Sequence, residues 1–242
     1  MWRYIHARTF GRVAARVRGP VPDRTADVQR WLRGIIESRP AFSILQVGAY
    51  DGVSNDWVHE LLSGYAHTHA VLLEPQPGPF AKLQQLWEGD RRIVPIRAAL
   101  SDAAGERPLY VIADAFKHRH PYPDQVSSFY RWRVEQACSR YAWRPSPDFI
   151  TSVLVPTIDW GTLVQRYGRF DLVAIDAEGY DAEILEQIDM VDGPPQIILY
   201  EHALLPRGVR KRCEQVLASS GFTVSQVNQN DTLAALIGLP QF

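Results

Sequence analysis

The stretch ILQVGAYDG, residues 44–52, carries the strongest fold signal in the chain. The residues up to Val47 suit a buried strand, and the chain then runs directly into Gly48 and on to Gly52. Glycine adopts positive φ without steric cost and lets the backbone approach a ligand closely. The stretch therefore predicts a sharp strand-to-helix turn at a ligand site, although a generic turn without a ligand stays open.

Strands and helices alternate on both sides of this turn. Strands are predicted at residues 43–47, 70–73, 93–100, 170–175 and 196–200, and helices at 27–38, 56–63, 80–87, 182–188 and 209–219. This rhythm indicates parallel βαβ units, whose ligand crevice lies at the carboxyl ends of the strands. A final pair, 223–227 and 233–237, reads as a hairpin. We expect an α/β, Rossmann-like fold: a mostly parallel sheet, helices on both faces and a C-terminal antiparallel strand pair.

Composition limits the classes of protein that fit. The chain has 242 residues, is 46% hydrophobic and carries a formal net charge of −1, so we expect a single domain over residues 1–242. There is no excess of basic residues to neutralise a phosphate backbone, so nucleic acid is disfavoured as the main partner. The two cysteines show no metal-binding or disulfide spacing, which suits a cytoplasmic location. A homo-oligomer is left open.

The N-terminal segment, residues 1–38, is predicted to be helical. Its first part alternates arginines with aromatic and aliphatic residues, which predicts a basic amphipathic helix. Such a helix could contact an anionic membrane surface peripherally, while a helix that caps the sheet, or a poorly ordered terminus, is the alternative. No stretch reaches the roughly 18 to 20 apolar residues that span a bilayer.

Residues 105–156 interrupt the alternation. Within them, residues 114–150 are rich in proline, aromatic residues, histidine and arginine, as is typical of a lid or binding loop. We predict a lid insertion over a ligand site. Tyr122, Ser128 and Trp132 are candidate substrate contacts, because aromatic rings can stack on a ligand and hydroxyl groups can form hydrogen bonds with it. The alternative is that these aromatic residues pack the lid onto the core.

Two motifs in the first half predict a nucleoside-type ligand. The loop lacks the G-x-G-x-x-G spacing of pyrophosphate sites, and Asp51 in it suits a cationic ligand such as the amine of S-adenosylmethionine. Glu74, in LLEP at residues 72–75, ends the second strand, where a carboxylate can accept both ribose hydroxyls. A surface glutamate at a strand end is the alternative for Glu74, but the two motifs together favour an adenosyl ligand.

Two motifs in the second half place acidic side chains at adjacent strand ends. DLVAIDAEGYD, residues 171–181, contains Asp176 and Glu178, and IILYEH, residues 197–202, ends in Glu201 and His202. Close carboxylates raise one another's pKa unless a cation or proton joins them. These four residues are therefore candidate ligands of a divalent cation such as Mg²⁺, Mn²⁺ or Ca²⁺, with a metal-free hydrogen-bonded cluster as the alternative. Asp181 is predicted to N-cap the next helix.

The order of these motifs resembles the FkbM-type family of S-adenosylmethionine-dependent methyltransferases. The resemblance covers roughly residues 41–235 and rests most on the joint occurrence of VGAYDG and IDAEG-xx-E-x-L. It implies a class I methyltransferase fold with Gly48, Asp51 and Glu74 at the cofactor and Asp176 at the catalytic end. The predicted cofactor contacts are Gly48, Ala49, Tyr50, Asp51, Glu74, Pro75, Ala99 and Asp176. The substrates of the family include sugars and polyketide hydroxyls.

A hydroxyl acceptor needs help to react, since it is a poor nucleophile at neutral pH. His202 is the preferred base by residue type, Asp176 is the alternative, and Asp176 and Glu201 are the first choices as metal ligands. We expect an O-methyltransferase that acts, with a divalent metal, on a hydroxyl of a sugar, an oligosaccharide or polysaccharide, or a glycosylated natural product. The alternatives are a nucleoside-binding or interaction module without turnover, and an NAD-type oxidoreductase.

Overall fold

The structure, a computed structural model, describes residues 21–54, 56–139 and 147–239. The predicted basic amphipathic helix, and with it any membrane contact, lies in residues 1–20, outside the described residues. The strands are β1 Phe42–Val47, β2 Thr68–Leu73, β3 Ile93–Ile96, β4 Ala99–Leu100, β5 Gly105–Ile112, β6 Ser127–Ser128, β7 Ile150–Ile158, β8 Leu172–Ile175, β9 Ile197–Glu201, β10 Thr223–Gln226 and β11 Asp231–Ala235. The α-helices are α1 Thr25–Glu37, α2 Trp57–Gly64, α3 Pro77–Leu86, α4 Arg131–Ser139, α5 Trp160–Tyr167, α6 Asp181–Leu185 and α7 Arg207–Ser219.

Seven strands form one sheet in the order β10-β11-β9-β8-β1-β2-β3. β3, β2, β1, β8 and β9 are parallel, and β11 runs antiparallel to both β9 and β10. Buried residues of α1, α2 and α3 pack on one face of this sheet, and those of α5, α6 and α7 pack on the other. The predicted α/β architecture, with helices on both faces and an antiparallel C-terminal pair, is confirmed.

The predicted strand over residues 93–100 is wrong, because it is two strands in different sheets. The chain leaves the main sheet after Ile96, where the backbone N–H of Ala98 donates to the Ile96 carbonyl in a tight turn. The following residues, β4, pair instead with β7. β5 and β7 form a long antiparallel ribbon, and together with β6 they complete a second sheet in the order β4-β7-β5-β6.

The segment predicted as a lid contains more regular structure than its composition indicates. Between β5 and β7 its described residues form three short 3₁₀ helices, with β6 and α4 between the second and the third. The 3₁₀ helices are Asp114–Arg119, Pro123–Gln125 and Pro147–Phe149. Val134 and Cys138 of α4 pack against Ile112 and Ile150 in a small core of their own. This core anchors the insertion beside the carboxyl ends of the main strands. Motion of the insertion as a lid stays a prediction.

None of the helices in the described parts of the chain has the length and apolar content that crossing a bilayer requires.

Candidate functional site

A cavity of about 330 Å³ opens at the carboxyl ends of β1, β2, β8 and β9. These strands are parallel, so the side chains and loops that follow them meet at one edge of the sheet. Part of the insertion, from Asp124 to Phe129, also lines the cavity. We call this the first cavity. It occupies the position at which parallel α/β sheets bind ligands.

Gly48 holds the ends of three strands together. Its φ is +82°, and a Cβ at this position would lie only 1.9 Å from the carbonyl oxygen of Asp176. The Gly48 N–H donates to the Leu73 carbonyl at 3.0 Å, and the Asp176 N–H donates to the Val47 carbonyl at the same distance. Any side chain at position 48 would force β1 and β8 apart, so the turn requires glycine.

Glu74 lies against the glycine turn and links it to the insertion. Its carboxylate accepts from the backbone N–H groups of Tyr50 at 3.0 Å and Gln76 at 2.8 Å. Burial raises the pKa of Glu74 to about 7. The side-chain amide of Gln76 donates in turn to the Asp124 carbonyl at 2.9 Å and the Ser127 Oγ at 3.2 Å. Gln76 thus binds both the Glu74 carboxylate and the insertion.

The first cavity is strongly acidic. Among the described residues that line it there are seven carboxyl groups and no lysine, arginine or histidine. The seven belong to Asp56, Glu74, Asp124, Asp176, Glu178, Glu201 and Asp231. Desolvation by the surrounding protein, and then neighbouring carboxyl groups, raise the pKa of both Asp176 and Glu201, and that of Glu201 more strongly. Such a site favours a cationic ligand.

Most of the predicted cofactor and acidic residues line this cavity. They are Gly48, Ala49, Tyr50, Glu74, Pro75, Ala99, Asp176, Glu178 and Glu201. Asp176 is accessible from the cavity, whereas Glu201 is half-buried and its Oε2 has no hydrogen-bond partner among the described residues. Their contacts with a ligand stay predictions.

Asp51 does not line the first cavity. Its carboxylate accepts hydrogen bonds from the Val53 N–H at 3.1 Å and from the N–H and hydroxyl of Ser54, both at 2.8 Å. These bonds fold the carboxylate back over its own loop. The structure therefore uses Asp51 to shape the turn, and the predicted contact with a cationic ligand does not follow from its placement.

His202 also lies away from the cavity. Its ring is buried, with Nδ1 2.8 Å from the Thr232 hydroxyl and Nε2 3.5 Å from the Gln226 side-chain nitrogen. Successive residues of a strand point to opposite faces, so Leu199 and Glu201 face the cavity while Tyr200 and His202 face away. Burial lowers the pKa of His202 to about 4. The structure does not bring this imidazole to Asp176, so the geometry does not favour His202 as the base.

The direction of successive side chains on β9 also separates the four predicted metal ligands. In residues 21–54, 56–139 and 147–239, no group of three or more histidine, cysteine, aspartate or glutamate side chains is arranged to hold a metal ion. Asp176, Glu178 and Glu201 line the first cavity without His202. The four residues therefore do not form the ligand cluster that the sequence motifs predict.

The three predicted substrate residues have different surroundings. Tyr122 and Ser128 line a second cavity, of about 480 Å³, beside the first. The Ser128 hydroxyl donates to the Glu178 carbonyl at 2.9 Å, which ties the insertion to the loop after β8. Trp132 is on the lining of neither cavity, and its ring stacks on Tyr130 at a centroid distance of 6.0 Å.

Three further acidic residues have roles that differ from the sequence prediction or that the sequence does not predict. Asp181 begins α6, but its carboxylate accepts from the N–H groups of Ala177 and Gly179, which precede the helix, so it is not the N-cap. Asp56 N-caps α2 and also lines the first cavity, a position that the sequence motifs do not predict. Asp231 pairs in register with Glu201 across β11 and β9, and only the strand register reveals this.

A family model and several solved structures are similar to this chain. The family model described as "Methyltransferase FkbM domain" matches residues 46–220, more than two thirds of the 242-residue chain. No curated protein matches. Similar solved structures include methyltransferase FkbM from Methylobacillus flagellatus KT, with 8% sequence identity and a TM-score of 0.49 over 81% of this chain and 44% of that one. Aeropyrum pernix fibrillarin in complex with natively bound S-adenosyl-L-methionine has 12% identity and a TM-score of 0.45 over 88% and 74% of the two chains. A putative caffeoyl-CoA O-methyltransferase from Staphylococcus aureus has 11% identity and a TM-score of 0.43 over 89% and 85%.

The chain thus spans less than half the length of the Methylobacillus structure. Its sheet, with five parallel strands and an antiparallel C-terminal pair, is the class I methyltransferase fold that the motif order implies. Because the family model covers most of the sheet and both acidic motifs, the chain belongs to the FkbM family of methyltransferases.

Proposed function

We propose that this chain transfers a methyl group from S-adenosylmethionine to a hydroxyl oxygen of a sugar, an oligosaccharide or polysaccharide, or a glycosylated natural product. The observation that carries the proposal is the charge of the first cavity, which has seven carboxyl groups and no basic side chain among the described lining residues. S-adenosylmethionine carries positive charge on its sulfur and on its amine. An acidic cavity at the carboxyl ends of parallel strands fits this cofactor.

The chain's own residues fit the cofactor in detail. Glu74 keeps free lone pairs for ribose hydroxyls, since its two oxygens accept two backbone hydrogen bonds, at 2.8 and 3.0 Å. Gly48 and Ala49 line the same cavity. Gln46 Oε1 and Glu201 Oε2 are buried without hydrogen-bond partners among the described residues. Both oxygens can accept a hydrogen bond from a ligand, and the Glu201 carboxyl group can donate one when it is protonated. When bound, the cofactor supplies a methyl group already activated for displacement.

Asp176 is the residue that we propose to take the proton of the acceptor hydroxyl. It is accessible from the cavity, and its pKa is raised less than that of Glu201, so it ionises first as the pH rises. Glu201 keeps its proton longer and can donate a hydrogen bond to the acceptor. His202 takes no part in this scheme, because its ring faces Thr232 and Gln226. A general base of this kind contributes about 10²- to 10⁴-fold to rate.

The other candidate functions fit less well. The diphosphate of NAD is anionic and would be repelled by those carboxyl groups of the first cavity that are ionised. A nucleoside-binding module without turnover would bind S-adenosylmethionine but release no S-adenosylhomocysteine. The predicted divalent cation is not part of the proposal, because the described residues do not assemble a ligand cluster for it.

Calorimetry tests the cofactor assignment. We expect the purified chain to bind S-adenosylmethionine and S-adenosylhomocysteine, and not NAD⁺. Glu74→Gln should weaken binding at least tenfold, because it removes one charged acceptor from the ribose site. Glu60→Gln, on the exposed surface of α2, is the matched control and should bind as the wild type does. Binding of NAD⁺ without S-adenosylmethionine would refute the proposal.

A further inference from the structure

Two neighbouring aromatic rings, those of Phe129 and Tyr180, line the first cavity. Phe129 follows β6 in the insertion, and Tyr180 lies in the loop between β8 and α6. The rings meet edge to face, with their centroids 5.0 Å apart. Asp176 and Glu178 precede Tyr180 in the same loop. We call the two rings the aromatic pair. It joins the insertion to the segment that carries the proposed base.

Arg107, on β5, contacts both rings of the aromatic pair. Its guanidinium carbon lies 4.4 Å from the centroid of the Phe129 ring and 5.2 Å from that of the Tyr180 ring, which is within cation–π range. Its Nη1 also donates to the Tyr180 hydroxyl at 2.8 Å. Arg107 itself is on the lining of neither cavity. It therefore acts on the wall of the first cavity and not directly on a ligand.

The second sheet holds the guanidinium group in place. The Arg107 backbone pairs in register with Val155 of β7. Nη1 donates to the hydroxyl of the buried Ser101 at 2.7 Å, and the Ser101 N–H donates to the Ile158 carbonyl at 2.9 Å. The side chain is thus anchored to the second sheet while it stacks on the aromatic pair. A planar guanidinium group can do both at once, whereas an ammonium group is a compact point charge.

We propose that Arg107 is a positioning residue for cofactor binding, which holds Phe129 and Tyr180 in the orientation that receives S-adenosylmethionine. This inference rests on the proposed function, because it needs that cofactor in the first cavity. Without the guanidinium group, both rings lose a contact and Tyr180 loses a hydrogen bond. The rings must then be ordered when the cofactor binds instead of beforehand, and this ordering costs affinity.

The test measures binding of S-adenosylhomocysteine by titration calorimetry, which gives the Kd and the fraction of binding-competent molecules separately. We expect Arg107→Gln to raise the Kd about tenfold with an unchanged competent fraction, because two side chains lose their prior order. Arg107→Lys keeps a charge and a donor, and its Kd should lie between those of Arg107→Gln and the wild type. A merely structural role would lower the competent fraction and leave the Kd of the folded molecules unchanged.

Arg166→Gln is the matched control. The Arg166 guanidinium carbon lies 5.3 Å from the ring centroid of Tyr167, so this variant also removes an arginine from an aromatic ring. Neither residue lines a cavity, and Arg166 is exposed on α5. Arg166→Gln should bind S-adenosylhomocysteine with the wild-type Kd.

A double-mutant cycle tests whether Arg107 acts through Tyr180. Tyr180→Phe keeps the ring but removes the hydroxyl that accepts from Arg107, and it should raise the Kd about threefold. The double variant should bind no more weakly than Arg107→Gln alone, because that variant has already lost the same hydrogen bond. Multiplied effects of the two changes would overturn the route through Tyr180.

A wild-type Kd in Arg107→Gln would overturn the positioning role while the proposed function stood. If Arg107→Gln does not fold, Tyr180→Phe decides instead, and a wild-type Kd in that variant would also overturn the role. Failure of the wild type to bind S-adenosylhomocysteine and S-adenosylmethionine would refute the proposed function, and the inference with it.

Discussion

The two cavities lie side by side and differ in charge. The first has seven carboxyl groups and no basic side chain among its described lining residues, whereas the second has Arg133 and His120 with only two carboxyl groups. Those two, Glu178 and Glu201, line both cavities. Negative charge is thus concentrated on the side proposed for the cofactor.

The cavities also differ in the elements that build them. Loops at the ends of packed parallel strands form most of the first, while short 3₁₀ helices, β6 and α4 form most of the second. A rigid sheet holds groups at fixed distances, and an insertion can change in sequence without disturbing it. On the proposed function, this division gives cofactor chemistry to the sheet.

The largest expected effect comes from Gly48→Ala, which disrupts the sheet beneath the first cavity. The added Cβ would lie 1.9 Å from the Asp176 carbonyl oxygen, and the backbone has a φ of +82° that alanine rarely adopts. We expect loss of measurable cofactor binding in calorimetry and a large fall in the melting temperature. Gly34→Ala, in α1 with open space around it, should instead stabilise by about 0.5–1 kcal/mol. Normal cofactor affinity in Gly48→Ala would contradict the close approach of β1 and β8 at this turn.

Asp176→Asn changes the first cavity at the proposed base. We expect kcat to fall about 100-fold or more, because the variant cannot take the hydroxyl proton. The cofactor should still bind, since Glu74 and the glycine turn are unchanged. Rapid-quench assays with and without acceptor would separate chemistry from binding. His202→Gln is the comparison variant: if it lost as much kcat as Asp176→Asn while folding normally, the base would have to be reassigned.

The pH dependence of stability sharpens the contrast in charge. Burial raises the folded-state pKa of Glu74 to about 7 and of Asp181 to about 8, above their ordinary values of 4.5 and 3.8. The folded chain therefore binds more protons than the unfolded chain, and this contribution to stability is lost as the pH rises from about 4 through these values.

Urea unfolding should accordingly give a free energy lower at pH 9 than at pH 6 by on the order of 4 kcal/mol, about 1.4 kcal/mol from Glu74 and the rest from Asp181. Glu201→Gln should reduce this difference, because it removes one raised carboxyl group. Stability that increased from pH 6 to pH 9 in the wild type would contradict the crowding of carboxyl groups in and behind the first cavity.

The smallest expected effect is that of chelation. Exhaustive treatment with EDTA should leave kcat/KM within twofold, because the described residues do not form a metal-binding cluster. The control restores Mg²⁺ after chelation and compares both rates with the untreated enzyme. A rate that vanished with EDTA and returned with Mg²⁺ would reinstate the metal-assisted mechanism that the acidic motifs predict.

Local patterns are enough to predict the main sheet. Buried strands, glycine turns and intervening amphipathic helices determine which strands pair when those strands are close in sequence. β1 and β2 accordingly lie where the sequence predicts them. The second sheet is not predictable in this way, because β4, β5 and β7 pair across the insertion and such pairing leaves no local period. For the same reason, the place of Asp231 beside Glu201 requires the register of β11.

Side-chain direction explains the remaining differences at the site. Adjacent residues of a strand face opposite sides of the sheet. Once Glu201 is assigned to the first cavity, this alternation is enough to exclude the His202 side chain from it. The direction of the Asp51 carboxylate is not predictable by this rule, because a carboxylate in a turn can face either a ligand or the backbone N–H groups of its own loop. The hydrogen bonds to Val53 and Ser54 decide that choice.

Gln76 has a consequence for the order in which ligands enter and leave. Its backbone N–H holds Glu74, and its side-chain amide holds Asp124 and Ser127 of the insertion. A ligand that fixes Glu74 also steadies the stretch that lines both cavities, so the ordering cost of the second ligand falls once the first has bound. We expect a sequential kinetic mechanism in which the cofactor binds first, the methylated acceptor leaves next and S-adenosylhomocysteine leaves last.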